Sequence, residues 1–131
     1  MTAAVALGGC GGATPENDDL LTGSWQVSEL VVADTAIDLA QSPVVIDLST
    51  AQRSVRADTS CHWLYGSFTI LRDGSATFTM PGRSTQSCEA SDQLVEDALL
   101  GALDSVRSWQ LVEDRLVFAS PTVRLELSPT G

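Results

Sequence analysis

The chain has 131 residues, 44% of them hydrophobic, and a formal net charge of −10; all seven of its basic residues are arginine. This length suits one domain around one core. The acidity, with no basic stripe to offset it, excludes nucleic acid as a partner and excludes basic-patch binding to anionic lipid headgroups. No stretch reaches the roughly 20 apolar residues of a membrane-spanning helix.

Residues 1–10 form a short run of small and apolar residues ending in Ala6-Leu7-Gly8-Gly9-Cys10, followed by Gly11-Gly12-Ala13-Thr14-Pro15. This resembles the lipobox of a bacterial lipoprotein signal, in which the cysteine is lipidated and becomes the new N-terminus. The resemblance implies a partial signal over 1–10, with the membrane as a partner through a lipid on Cys10. It also implies an extracytoplasmic location, anchored to the bacterial cell membrane. Residues 11–20, with Glu16, Asp18 and Asp19, bury little apolar surface and read as a flexible acidic tether. The folded body is expected over 21–128.

Within the body, Ser24 to Val32 reads as a strand, in which Trp25 and Val27 alternate with polar residues. Asp34 to Pro43 reads as a loop, Val44 to Leu48 as a strand and Arg53 to Ala57 as a short one. Trp63 to Leu71 is a stronger strand, and Asp73-Gly74 is a hairpin turn into Ser75 to Met80, ended by Pro81-Gly82. The period then changes. Leu94, Val95, Ala98, Leu99, Ala102, Leu103 and Val106 recur at helical spacing over about 91–106, with Ser91 as N-cap and Gly101 read as a site of close packing. Trp109 and Leu111 lead to a Glu113-Asp114 turn, then Leu116 and Phe118. Pro121 breaks the run before Val123, Leu125 and Leu127. Short connections imply antiparallel pairing. The expected class is α+β, mostly β: an antiparallel sheet curled into a partly open barrel with one amphipathic helix.

The opening Leu21-Thr22-Gly23-Ser24-Trp25, the central Ser60-Cys61-His62-Trp63-Leu64-Tyr65-Gly66, and Thr85-Gln86-Ser87-Cys88 before the helix occur in a telling order. Trp109-Gln110-Leu111 and Asp114-Arg115-Leu116-Val117-Phe118 complete the set. Together they resemble the META-domain family, which includes the heat-shock protein HslJ. That family has Gly-Cys-Asn where this chain has Ser60-Cys61-His62. The resemblance implies a partly barrel-like antiparallel sheet with one helix, an envelope location for many members, and no defined reaction.

Cys61 and Cys88 are separated by 27 residues, and two thiols in an exported chain most simply form a disulfide. A redox pair is the alternative, although it lacks C-x-x-C, and two reduced thiols are the third option. His62 is the only histidine. On a strand, Cys61 and His62 would point to opposite faces, which argues against a catalytic dyad. A zinc site would have to recruit both cysteines at the cost of the disulfide, so no metal or cofactor is expected. Glu96-Asp97 and Glu113-Asp114 read as solvated acids, and Asp58-Thr59-Ser60 as a turn. Trp25, Trp63 and Trp109 are either core or the candidate lining of a hydrophobic-ligand site. The expected function is a non-enzymatic binding or interaction module in envelope maintenance or stress tolerance. Its partner would be an envelope protein, and the alternative is a carrier for a lipid or other hydrophobic ligand.

Overall fold

A computed structural model describes residues 21–40, 42–83 and 88–130. Cys10, the signal and tether segments and Thr85-Gln86-Ser87 lie outside the described residues. Among the described residues, nine strands occur: β1 (Gly23–Val32), β2 (Thr35–Ala36), β3 (Val45–Ser49), β4 (Ser54–Asp58), β5 (Trp63–Ile70), β6 (Ala76–Arg83), β7 (Ser108–Val112), β8 (Arg115–Ala119) and β9 (Val123–Pro129). The helix α1 (Ala90–Ser105) falls between β6 and β7. The strands form one antiparallel sheet in the order β6-β5-β4-β3-β1-β9-β8-β7, with β2 paired to β1.

The two ends of this order come back toward each other. Ser75 and Ser108 form an antiparallel bridge, the Ala76 N–H donates to the Arg107 carbonyl at 3.0 Å, and the Trp109 N–H donates to the Gly74 carbonyl at 2.9 Å. The rings agree with that closure. Phe78 on β6 meets Phe118 on β8 edge to face, with centroids 4.9 Å apart, although five strands lie between β6 and β8 on the sheet path. The sheet is therefore a nearly closed barrel, as the strand–helix–strand order implied.

Period-two patterning fills the inside. Trp25, Val27 and Leu30 of β1, Ile46 and Leu48 of β3, Val55 and Ala57 of β4, and Leu125 and Leu127 of β9 are buried, while most of their neighbours face outward. Two bulges keep the alternation in phase where strands bend, one between Val27 and Glu29 and one between Tyr65 and Ser67. The helix packs against β6, β1 and β9, which lie on different parts of the sheet path, so it bridges across the curl. Val95, Leu99, Ala102 and Leu103 face the core. Full burial of Leu99 and of Leu103 stabilises the fold by about 1.5–3 kcal/mol each.

Several local expectations are corrected. Leu94, placed on the apolar helix face, is 60% exposed, and Glu96 is 0% exposed in the core-facing stripe. Glu89, rather than Ser91, holds the N-cap position, with no side-chain cap; Asp92 accepts a hydrogen bond from the Ser42 hydroxyl at 2.5 Å. Pro81-Gly82 does not end β6, which continues to Arg83 with Tyr65 opposite Gly82. Residues 34–43 include β2, reached through Ala33 and Asp34, both at positive φ. That mirror-type two-residue turn normally advertises itself with Asn-Gly, which is absent here.

At the expected Asp73-Gly74 turn, Gly74 has φ 95° and the Ser75 N–H donates to Asp73 Oδ1 at 2.9 Å. The Ser75 hydroxyl and N–H hold the Asp73 carboxyl below its usual range. Its contribution to the turn is present above the ordinary carboxylate range and is lost as pH falls through the lowered value.

Gly101 is not a close-packing site either, because a Cβ there would meet nothing within 4 Å. Gly101→Ala should therefore stabilise the protein by about 0.5–1 kcal/mol through helix propensity and a stiffer unfolded chain. A raised urea midpoint with unchanged slope checks this, and a lowered midpoint contradicts it.

Candidate functional site

The four residues between β4 and β5, Thr59 to His62, build a compact polar centre. The Thr59 N–H donates to the His62 carbonyl at 3.0 Å, which closes the turn. The Thr59 hydroxyl oxygen accepts from the Cys61 N–H at 3.0 Å and from the His62 N–H at 2.8 Å. A threonine suits this position because its short side chain folds back onto its own turn. The Asp58-Thr59-Ser60 triplet is thus a turn, as its composition suggested.

This turn overrides strand alternation. Cys61 and His62 precede β5, and both are buried, at 8% and 6% exposure. Their side chains approach one another, with Cys61 Sγ 2.9 Å from His62 Nδ1, where alternation placed them on opposite faces. Cys61 is joined to the half-buried Cys88 by a disulfide with a Cα–Cα distance of 5.4 Å. This agrees with the first of the three options for the pair. In the chain-entropy account, a link spanning 27 residues contributes about 3.5 kcal/mol. It ties the β4–β5 turn to the segment that enters the helix.

Opposite the turn, α1 supplies a carboxylate. His62 Nδ1–H donates to Glu96 Oε1 at 2.7 Å and lies 2.8 Å from Oε2. Both side chains are almost fully enclosed. Gln93 Nε2 donates to Oε2 at 3.4 Å, and the Thr59 hydroxyl stands 3.2 Å from Oε1. Glu96 is therefore a satisfied buried acid, in line with the rule that a carboxylate inside a protein needs partners for its oxygens. The reading of Glu96 as a solvated acid is overturned. Its signal lay in the sequence: Glu96, Leu99 and Leu103 share one helical face, and a carboxylate in an apolar stripe needs a polar partner such as the chain's sole histidine.

The three tryptophans do not converge. Trp25 is core, and its indole N–H donates to the Leu21 carbonyl at 3.0 Å. Trp109 is half-buried on β7, and its N–H donates to the Leu71 carbonyl at 2.8 Å. Trp63 is 57% exposed on the outer face, with the Arg56 guanidinium 3.9 Å above its ring. Beside it, Asp47, Arg56, Tyr65 and Gly82 stand in register across β3 to β6. Asp47, Arg56, Tyr65, Gly66 and Pro81 are among the lining of a surface hollow of about 430 Å³.

A mostly-β barrel, nearly closed, crossed by one helix and stapled from its β4–β5 turn to the helix entrance, defines a class of small disulfide-bearing β-barrel domain. The model of the META domain matches residues 18–130, and the chain belongs to that family. A solution structure of a protein from Burkholderia xenovorans is similar, with TM-score 0.64 and 26% identity over 98% of this chain and 94% of that one. The crystal structure of a DUF4847 family protein from Bacteroides vulgatus shares the fold, with TM-score 0.60 and 10% identity over 83% and 93% of the two chains. No curated protein matches. The disulfide suits an oxidising, extracytoplasmic setting. Among the described residues, no helix is long and apolar enough to cross a membrane.

Proposed function

We propose that this META-domain protein is a non-catalytic binding module of the cell envelope. It is tethered to the membrane by a lipid on Cys10 and engages an envelope protein through the outer face of β4, β5 and β6. The observation that carries this reading is the exposed pair Trp63 and Tyr65, at 57% and 55%, with Arg56 against the Trp63 ring and both Arg56 and Tyr65 lining the surface hollow. Trp, Tyr and Arg are the residue types that dominate binding energy at protein interfaces. Rigid aromatic rings also lose little conformational freedom when covered.

The alternative, a carrier for a hydrophobic ligand inside the barrel, draws less support. The inward side chains form one contiguous buried cluster that runs from Leu21 through Phe118 to the helix. The Trp63 ring lies on the outer face, away from that interior.

The test places a photo-crosslinking amino acid at position 65 in cells producing the wild-type chain or the Cys10→Ala variant. Wild type should fractionate with membranes and give a discrete envelope-protein adduct that Trp63→Ser removes, and Cys10→Ala should move the domain to the soluble fraction. Unchanged fractionation in Cys10→Ala would end the anchor reading. An adduct pattern indifferent to Trp63→Ser would end the binding-face reading.

A further inference from the structure

The buried centre at the β4–β5 turn holds three side chains of metal-ligand type. The sulfurs of Cys61 and Cys88 and a ring nitrogen of His62 lie within 4.8 Å of one another. His62 Nε2 stands 3.8 Å from each sulfur. Around a tetrahedral zinc ion, with Zn–S about 2.3 Å and Zn–N about 2.0 Å, nitrogen and sulfur are roughly 3.5 Å apart. The nitrogen–sulfur separations are thus close to those around an ion shared with both sulfurs, and the sulfurs must part for an ion to enter.

The second observation is Glu96. It is wholly buried and holds His62 Nδ1 between its two oxygens, which fixes the ring; a neutral imidazole that donates from Nδ1 carries its lone pair on Nε2. A carboxylate on the non-ligating nitrogen is the usual second partner of a zinc-bound histidine. A disulfide needs no such device.

We propose that reduction of the Cys61–Cys88 disulfide converts this centre into a Cys2His site for a zinc-class divalent cation, with Glu96 as the positioning residue. An external thiol supplies the two electrons. The S–S bond breaks, each cysteine sulfur gains one electron and one proton, and two thiol molecules couple into their own disulfide. When the cation binds, the two cysteine thiols release their protons and form metal–sulfur bonds, and His62 Nε2 donates its lone pair. The metal keeps its +2 state, and water takes the fourth position. This site is independent of the outer binding face.

The test uses the full chain, reduced without oxygen by a phosphine, which takes up oxygen from water as it becomes the phosphine oxide. Co2+ is then titrated in, followed by Zn2+. The reduced wild type should bind one equivalent of Co2+ with sulfur-to-cobalt charge-transfer absorption and the visible bands of tetrahedral coordination, and Zn2+ should displace it. The oxidised protein should show neither signal. His62→Asn keeps both thiols, and it should weaken binding about tenfold or more and alter the visible bands. Glu96→Gln should weaken it about 10–100-fold. A reduced wild type lacking the tetrahedral spectrum overturns the proposal, as does His62→Asn binding as tightly as wild type. Unchanged affinity in Glu96→Gln removes the positioning role. A reduced chain that unfolds and does not refold with metal also overturns it, because binding to a built site drives folding.

Discussion

Gly66→Ala should destabilise this protein by about 3 kcal/mol or more, a larger effect than a methyl group added at Gly23, Gly74 or Gly101. Gly66 lies on β5 at the bulge where the register with β6 shifts. A Cβ there would overlap the Thr79 carbonyl oxygen and lie 2.9 Å from Met80 Cα. Both obstacles are backbone, so no rotamer change relieves them, and β6 itself must move. That strand carries Phe78, whose ring contacts Phe68 on the neighbouring β5 and Phe118 on β8 across the barrel, so the displacement reaches the core. Domains of this size are stable by only about 5–15 kcal/mol, which makes such a loss visible as poor soluble yield or a sharply lowered thermal midpoint. A soluble Gly66→Ala with the wild-type midpoint would contradict the close approach of β5 and β6. Gly101→Ala is the matched control, because the added methyl group there meets open space.

Glu96→Leu should cost about 3 kcal/mol, even though leucine suits a core-facing helix position. The loss comes from the polar groups left behind. His62 Nδ1–H and Gln93 Nε2 donate to the Glu96 carboxylate, and the Thr59 hydroxyl lies beside it. With the acceptor gone, a buried imidazole N–H loses its partner inside an enclosed site, and such a group costs more than a hydrogen bond contributes. The double change His62→Leu with Glu96→Leu should recover a large part of the loss, since neither polar group is then stranded. Urea unfolding of the two single variants and the double variant measures this as a coupling energy of about 1 kcal/mol or more. Additive single effects would mean that the pair does not act as a unit.

The sheet was largely readable from period. Val44, Ile46 and Leu48 alternate with outward or half-buried residues as drawn, and the strand of Trp63 to Leu71 runs from Trp63 to Ile70. Helical spacing placed α1 to within a residue at each end. The misses are local and have physical causes. Leu94 and Glu96 exchange their expected roles because one hydrogen-bonded partner, His62, makes a buried carboxylate tolerable where periodicity alone favours leucine. The Ala33-Asp34 turn escaped notice because its positive φ values are imposed by strand pairing on residues that do not advertise them. The β6 strand outruns Pro81-Gly82 because β6 is an edge of the sheet path, where a proline without an N–H is tolerated.

The candidate centre divides in the same way. The cysteine pair was evident from composition and from the resemblance to META domains, since two thiols in an exported chain call for each other. The encounter of Cys61, His62 and Glu96 was not. It depends on a four-residue turn clamped by the Thr59 hydroxyl, which cancels the alternation that would send Cys61 and His62 to opposite faces. It also depends on the helix arriving with Glu96 facing that turn. Local patterning, a property of neighbours in the chain, was enough to place the strands and the helix and to point to the family and to Cys61 and Cys88 as the candidate disulfide partners. The buried imidazole–carboxylate pair joins residues 34 apart in the chain, and the outer face that gathers Arg56, Trp63 and Tyr65 spans two paired strands. Such contacts exist only once the sheet has curled and the helix has docked, because long-range packing, not local preference, decides which distant side chains become neighbours.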